Sequence, residues 1–143
     1  MNWVQSDGGR ATAGFKGPTR DCVPRAIAIA SGRPYAEVYA ALNALAEKER
    51  PRNGRKRSSS RTGVNKQTYH AYLTAIGAKW TPTMAIGSGC KVHLKDGELP
   101  MGRLVVSVSR HLVAVIDGVI YDTDDPSRKG GRCVYGYYSF DMN

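Results

Sequence analysis

The first half of the chain carries apolar residues at helical spacing. Residues 22–31 (CVPRAIAIAS) are apolar almost all round, which predicts a buried helix that ends at Gly32. A second stretch, residues 34–48, repeats apolar positions three and four apart and predicts another helix, which Pro51 stops. A third amphipathic pattern predicts a helix from about residue 65 to 76.

Beyond residue 77 the pattern changes to short β-branched and aromatic segments separated by Gly, Asp and Pro. We expect strands at KWTPTM, KVHL, RLVVSVS, HLVAVI, VIYDT and RCVYGYYSF. Helices followed by strands are typical of an α+β domain with an antiparallel sheet. A length of 143 residues fits one domain, residues 1–143, in which residues 1–20 lack any periodicity and predict an irregular arm.

One predicted hairpin fixes the register of two strands. Asp117-Gly118 between HLVAVI and VIYDT suits a two-residue type I′ turn. This turn places His111 opposite Asp124 and Val113 opposite Asp122. Side chains two residues apart on a strand share a face, so both carboxylates are predicted within reach of the imidazole.

Cys22 is the candidate nucleophile, because it stands at the start of the first predicted helix. A helix N-terminus has unpaired N–H groups and about half a positive charge, which favour thiolate over thiol. The alternative is that Cys22 is a small buried apolar residue.

Downstream residues complete a candidate Cys-His-Asp triad. His111 is the expected base, and Asp122 or Asp124 is the expected carboxylate that orients it. Turn capping beside Pro and Ser is the alternative role for either carboxylate. The oxyanion donors are expected to be the backbone N–H of Cys22 and a side chain of the arm; these oxyanion candidates are Gln5 and Thr19.

These motifs together resemble the papain-like cysteine peptidase superfamily. The resemblance rests on a cysteine heading a buried helix, then a histidine on a strand, then an acidic residue ending the next strand. DCVPRAIAIASGRPYAEVYAAL and GRLVVSVSRHLVAVIDGVIYDTDDPSR also resemble short proteins encoded by phages and prophages. The resemblance implies a papain-like fold, with the catalytic cysteine at a helix start and the helices packed on an antiparallel sheet. It also implies a thiol hydrolase that cleaves a peptide, isopeptide or amide bond, and it favours Asp122 over Asp124. The chain lacks the glutamine that papain has shortly before its cysteine.

The net charge of +9 is concentrated in one segment. Residues 50–61 (RPRNGRKRSSSR) hold six basic residues and no acidic one, which leaves +3 for the rest of the chain. We expect a flexible surface loop there. It supports an alternative function as a non-catalytic binding protein for nucleic acid or an acidic partner, through Arg52, Arg55, Lys56 and Arg57.

Other sequence features bear on the cellular compartment and on metal binding. No apolar run approaches the length of a membrane span, and the N-terminus lacks the pattern of a secretory signal, so we expect a cytoplasmic protein. If the protein is phage-encoded, this is the host cytoplasm, and a host protein is a candidate substrate. Three cysteines are expected to be free in a reducing compartment. Cys90, His93 and Cys133 form only a weak metal-binding pattern, so neither metal nor cofactor is predicted.

Overall fold

Three helices and six strands make up the protein in the computed structural model, which describes residues 1–50 and 56–140. The elements are β1 (Asn2–Gln5), α1 (Cys22–Ser31), α2 (Tyr35–Ala46), α3 (Lys66–Ala75), β2 (Lys79–Pro82), β3 (Arg103–Val108), β4 (His111–Ile116), β5 (Val119–Asp122) and β6 (Val134–Phe140). The α+β class predicted from the sequence is confirmed. Gly32 ends α1 as expected, with φ 75° and its N–H bonded to the carbonyl of Ala28.

The sheet is mixed and not purely antiparallel. Its strand order is β1-β5-β4-β3-β6-β2, and β1 runs parallel to β5. The prediction that residues 1–20 form an irregular arm is therefore wrong for Asn2–Gln5. All four residues of β1 are exposed, so the strand leaves no apolar alternation in the sequence and pairs through its backbone.

The predicted strand KVHL does not form. Within it, His93 makes a single antiparallel bridge to Cys133. Leu94 is fully buried against the sheet. The apolar residues of this segment therefore reflect packing against the core and not membership of a β-strand.

The predicted register of the β4–β5 hairpin is confirmed. Ala114 pairs with Tyr121, and Ile116 pairs with Val119. The two turn residues have positive φ, 47° at Asp117 and 79° at Gly118, as a type I′ turn requires. The end of β5 is thereby fixed beside the start of β4.

The sheet has an apolar core on each face. On one face α1, α2 and α3 pack against the sheet, with α1 lying mainly on β4. The core residues of that face include Ile27, Val38, Leu42, Leu73, Val105, Ala114 and Tyr138. The other face buries Leu94, Leu104, Val106, Val113, Val115 and Ile120. Because α1 lies along β4, its first residue can reach the beginning of that strand.

The second half of the basic segment is held to the body of the protein. Ser60 is fully buried, and its hydroxyl donates to the carbonyl of Tyr39 at 2.8 Å. Glu49 accepts hydrogen bonds from the backbone N–H and hydroxyl of Ser58. The expectation of a flexible loop therefore needs correction for residues 58–61, because small hydroxyl side chains can be buried when they are hydrogen-bonded. Arg52 and Arg55 lie outside the described residues.

Two of the three cysteines are joined. Cys90 and Cys133 form a disulfide, with Cα atoms 5.9 Å apart, and Cys22 is free. The prediction of three free thiols is therefore wrong. That prediction assumed a reducing compartment. The disulfide forms because the fold brings together two cysteines that are 43 residues apart in the sequence. Among the described residues, no helix is long and apolar enough to cross a membrane.

Candidate active site

Cys22 is the first residue of α1, at the edge of the helix-covered core. Its backbone N–H belongs to the first helical turn, where N–H groups lack an intrahelical acceptor. The side chain is partly buried, and it packs against the core cluster that α1 shares with the sheet. The local sequence explains the position: Pro24 suits the first turn, because it has no N–H to leave unpaired.

His111 and Asp122 are joined by a hydrogen bond. The Nε2 atom of His111 lies 2.6 Å from Oδ2 of Asp122. Since Nε2 faces the carboxylate, Nδ1 is the ring nitrogen left for the thiol of Cys22. The structure thus places Cys22 in the same groove as His111, which is bonded to Asp122. The hairpin register predicted only that His111 shares a face with Asp122 and Asp124.

The proton affinities of the three groups are mutually adjusted. Burial raises the pKa of Cys22, but hydrogen bonding to His111 and to the Leu112 backbone, with the nearby charges of His111 and Arg25, places it below the usual thiol value. Burial lowers the pKa of His111, but its bonds to Asp122 and Cys22 raise it to about 9. These opposite shifts favour a thiolate–imidazolium pair over a neutral thiol beside a neutral imidazole.

Burial raises the pKa of Asp122, and the bond to His111 and the charge of Arg25 outweigh that effect and lower it. The carboxylate is 3% exposed. Its other oxygen, Oδ1, accepts from Arg25 at 2.9 Å and from the backbone N–H of Thr123 at 2.7 Å. Asp122 is therefore ionised and held in one orientation behind the imidazole.

Arg25 is a site residue that the sequence analysis missed. It is 8% exposed and bridges Asp122 to Asp21, the residue that precedes α1. Asp21 also accepts a hydrogen bond from the hydroxyl of Tyr35 at 2.8 Å. The available signal was an aspartate four residues before an arginine within an otherwise apolar helix, because a buried arginine needs a carboxylate partner.

The strand β1 and the residue after it hold the backbone of Asp122 through hydrogen bonds. The carbonyl of Asp122 accepts from the N–H of Ser6 at 2.9 Å and from Nε1 of Trp3 at 3.1 Å. The parallel pairing of β1 with β5 thus fixes the end of β5, and with it the position of the Asp122 side chain.

The remaining predicted site residues lie elsewhere. Asp124 is exposed beyond the end of β5, and the His111 bond goes to Asp122 instead. The hydroxyl of Thr19 donates to the carbonyl of Arg61 at 3.1 Å. Gln5 is an exposed residue of β1, where it pairs with Asp122 through the backbone register. The oxyanion side chain therefore stays a prediction.

Two grooves flank His111. The first, named here the thiol groove, has a volume of about 420 Å³ and contains Cys22 and His111. It is lined by Arg20, Cys22, Val23, residues 62–66, Tyr69, Val108, Arg110, His111 and Leu112. The second, the carboxylate groove, has a volume of about 520 Å³ and contains Asp124 and Asp125 beside Arg110, Arg128 and Arg132. Neither Gln5 nor Thr19 lines the described part of the thiol groove.

Comparisons with protein-family models, curated proteins and solved structures find no match. The description of the site therefore rests on its own geometry. Among the described residues, no group of three or more His, Cys, Asp and Glu side chains is placed to hold a metal ion. Cys90 and Cys133, which the sequence offered as weak candidate ligands with His93, are bonded to each other.

Proposed function

We propose that this protein is a papain-like thiol hydrolase in which Cys22 is the nucleophile, His111 the general base and acid, and Asp122 the residue that orients the imidazole. The observation that carries the proposal is the 2.6 Å bond from His111 to Asp122 at the start of the helix that bears Cys22. A purely structural cysteine needs no partly buried, ion-paired histidine beside it.

The reaction follows from the protonation states. The Cys22 thiolate attacks the carbonyl carbon and forms a C–S bond, while the carbonyl electron pair moves to oxygen. Collapse of this tetrahedral species breaks the C–N bond, and the His111 imidazolium gives its proton to the leaving amine. Water, deprotonated by His111, then attacks the thioester and releases the acid and the thiol.

The start of α1 supports the charge that develops on the carbonyl oxygen. The backbone N–H of Cys22 points out of the first helical turn, and the positive end of the helix dipole favours an oxyanion there. The substrates that fit this chemistry are proteins or peptides carrying a peptide, isopeptide or side-chain amide bond. A host protein is the proposed target if the chain is phage-encoded.

The direct test measures alkylation of Cys22 by iodoacetamide at pH 6. A free thiol has little thiolate at that pH, so the wild-type protein should react on the order of 100 times faster than its His111→Ala variant. His93→Ala is the matched control, since His93 is paired with Glu98 away from the site. Equal rates in wild type and His111→Ala would contradict the proposal.

A second candidate function is the binding of nucleic acid or an acidic partner by a protein without turnover. The observation in its favour is a cleft of about 670 Å³ beside α2 and α3 that includes Lys48, Arg50, Lys56 and Arg57. Phosphate contacts by such residues make binding steeply dependent on salt. Lys56→Gln with Arg57→Gln should lower affinity for a single-stranded oligonucleotide and flatten that dependence. Unchanged binding and salt slope would count against this function.

A further inference from the structure

The thiol groove is lined by three cationic side chains, which come from three separate segments. Arg20 precedes α1, Lys66 begins α3, and Arg110 lies in the turn between β3 and β4. Among the described residues that line this groove, none carries a carboxylate. All three residues are exposed, and all three line the same groove as Cys22.

These cations also differ from other charged residues of the surface. Arg33 is paired with Glu37, and Lys95 is paired with Glu98. Within the described parts of the chain, no ion pair involves Arg20, Lys66 or Arg110. The three cations that line the thiol groove therefore have no ion-pair partner among the described residues, and several like charges around one concave surface reinforce each other there.

Arg110 holds an unusual backbone conformation next to the catalytic histidine. Its φ is 57°, in the left-handed region that glycine and asparagine favour. It belongs to the two-residue turn closed by Val108 and His111. Asp117, Arg128 and Lys129 have positive φ as well, so this conformation by itself assigns no use to the side chain. Arg110 lines both grooves and so stands at the point where a substrate would cross from one to the other.

The carboxylate groove shows the contrast. It holds Arg110, Arg128 and Arg132, but Asp124 and Asp125 lie among them. Arg132 is occupied by the carbonyls of Ser109 and Pro126. The two grooves thus present different electrostatic surfaces on either side of His111, and the thiol groove is the one that favours anions.

We propose that the thiol groove binds an acidic peptide segment, with aspartate or glutamate side chains next to the bond to be cleaved, and that Arg110 is the residue that selects for them. This proposal rests on the proposed hydrolase function, since it names the substrate class of the same site. Guanidinium groups bind carboxylates through two parallel hydrogen bonds, which gives Arg110 directional preference for an acidic side chain over a neutral one.

The first experiment compares two alkylating reagents of similar size, of which only one is charged. Iodoacetate is anionic and iodoacetamide is neutral, so the ratio of their rates at Cys22 reports the charge of the groove. We expect the ratio in the wild type to exceed that of free cysteine by about tenfold at low salt. Arg110→Gln should lower the ratio by about threefold, and Arg20→Gln or Lys66→Gln by a smaller factor.

Lys79→Gln is the matched control, because it removes one exposed positive charge from β2 and Lys79 does not line the groove. The His111 imidazolium contributes to the ratio in every variant, so differences between variants report the groove cations alone. A slow reaction of Cys22 with both reagents would overturn the hydrolase function itself. A fast reaction with the same ratio in wild type and Arg110→Gln would overturn only the acidic-substrate proposal.

A second measurement separates peptides from nucleic acids. Hexaglutamate should slow the alkylation of Cys22 by iodoacetamide, and Arg110→Gln should weaken that protection by about threefold. Hexalysine should give no protection. Protection by oligothymidylate without protection by hexaglutamate would overturn the proposal in favour of a nucleic-acid ligand.

Discussion

The two faces of the sheet are covered in different ways. Helices α1, α2 and α3 pack on one face, and their apolar spacing can be followed in the sequence. On the other face, irregular chain supplies Leu94 to the core, and the disulfide between Cys90 and Cys133 joins that chain to the segment before β6. Both faces have fully buried side chains at their centres, such as Leu42 on the helix-covered face and Leu94 on the other.

The two faces also differ in whether they carry residues of the candidate active site. Cys22 and Arg25 both come from α1, on the helix-covered face, and they meet His111 and Asp122 at the ends of β4 and β5. The loop-covered face contributes none of these four groups. Changes on the helical face should therefore alter reactivity and stability together, whereas changes on the other face should alter stability alone.

The largest effect is expected at the carboxylate behind His111. Asp122→Asn removes the charge that holds the His111 pKa near 9, so this pKa should fall below 7, more than a 100-fold loss of proton affinity. NMR titration of the imidazole ring protons measures it directly. Asp124→Asn is the matched control and should leave the His111 pKa within about 0.3 of its wild-type value, because an exposed carboxylate is screened by solvent. The reverse result would make Asp124 the orienting residue.

Arg25 tests whether the buried charges hold the helical face together. Arg25→Met leaves Asp21 buried without a cation and Asp122 with His111 alone, which should lower the free energy of unfolding by about 3–5 kcal/mol. The matched control is Arg33→Met, which breaks an exposed ion pair of the same i,i+4 spacing and should cost less than about 1 kcal/mol. Urea unfolding monitored by fluorescence gives both values. A similar small loss in both variants would show that the bridge is dispensable.

The fold could be predicted where a local pattern determines the structure. The helices follow from apolar spacing, and the hairpin register follows from the Asp117-Gly118 turn. The shared face of His111 and Asp122 depends only on that register, so this part of the site was accessible from sequence. Cys22 lies beside them because α1 packs across β4, which no local pattern predicts.

The missing parts depend on contacts between distant segments. The strand β1 is held by backbone pairing to β5, and exposed side chains carry no trace of it. The Cys90–Cys133 bond joins residues 43 apart, and three cysteines allow three pairings. Arg25 gains its role from Asp122, 97 residues away. A positive residue in an apolar helix signals a buried partner but not its identity.

The disulfide tests the other face. Replacing both cysteines, with Cys90→Ala and Cys133→Ala, removes a cross-link spanning 43 residues and should lower the free energy of unfolding by about 2–4 kcal/mol. The alkylation rate of Cys22 at pH 6 should change less than twofold, because neither cysteine touches the triad. A large loss of Cys22 reactivity in the folded double variant would show that the two faces are coupled.

The smallest expected effect is a displacement of the pH profile. The Cys22 pKa is lowered, so the iodoacetamide rate should rise about tenfold per pH unit only up to that pKa and then level off at a lower pH than for an ordinary thiol. Bond cleavage also needs the proton of His111, whose pKa is raised to about 9, so turnover of an acidic peptide should fall above pH 9 while alkylation does not. The variant without the disulfide should keep both the rise of the alkylation rate at low pH and the fall of turnover above pH 9. In Arg25→Met the rise of the alkylation rate should move to higher pH, because a positive charge that favours the thiolate is gone. An alkylation rate that still rises at pH 9 in the wild type would mean that Cys22 titrates as an ordinary thiol, and the helical face would then have no more chemical role than the other.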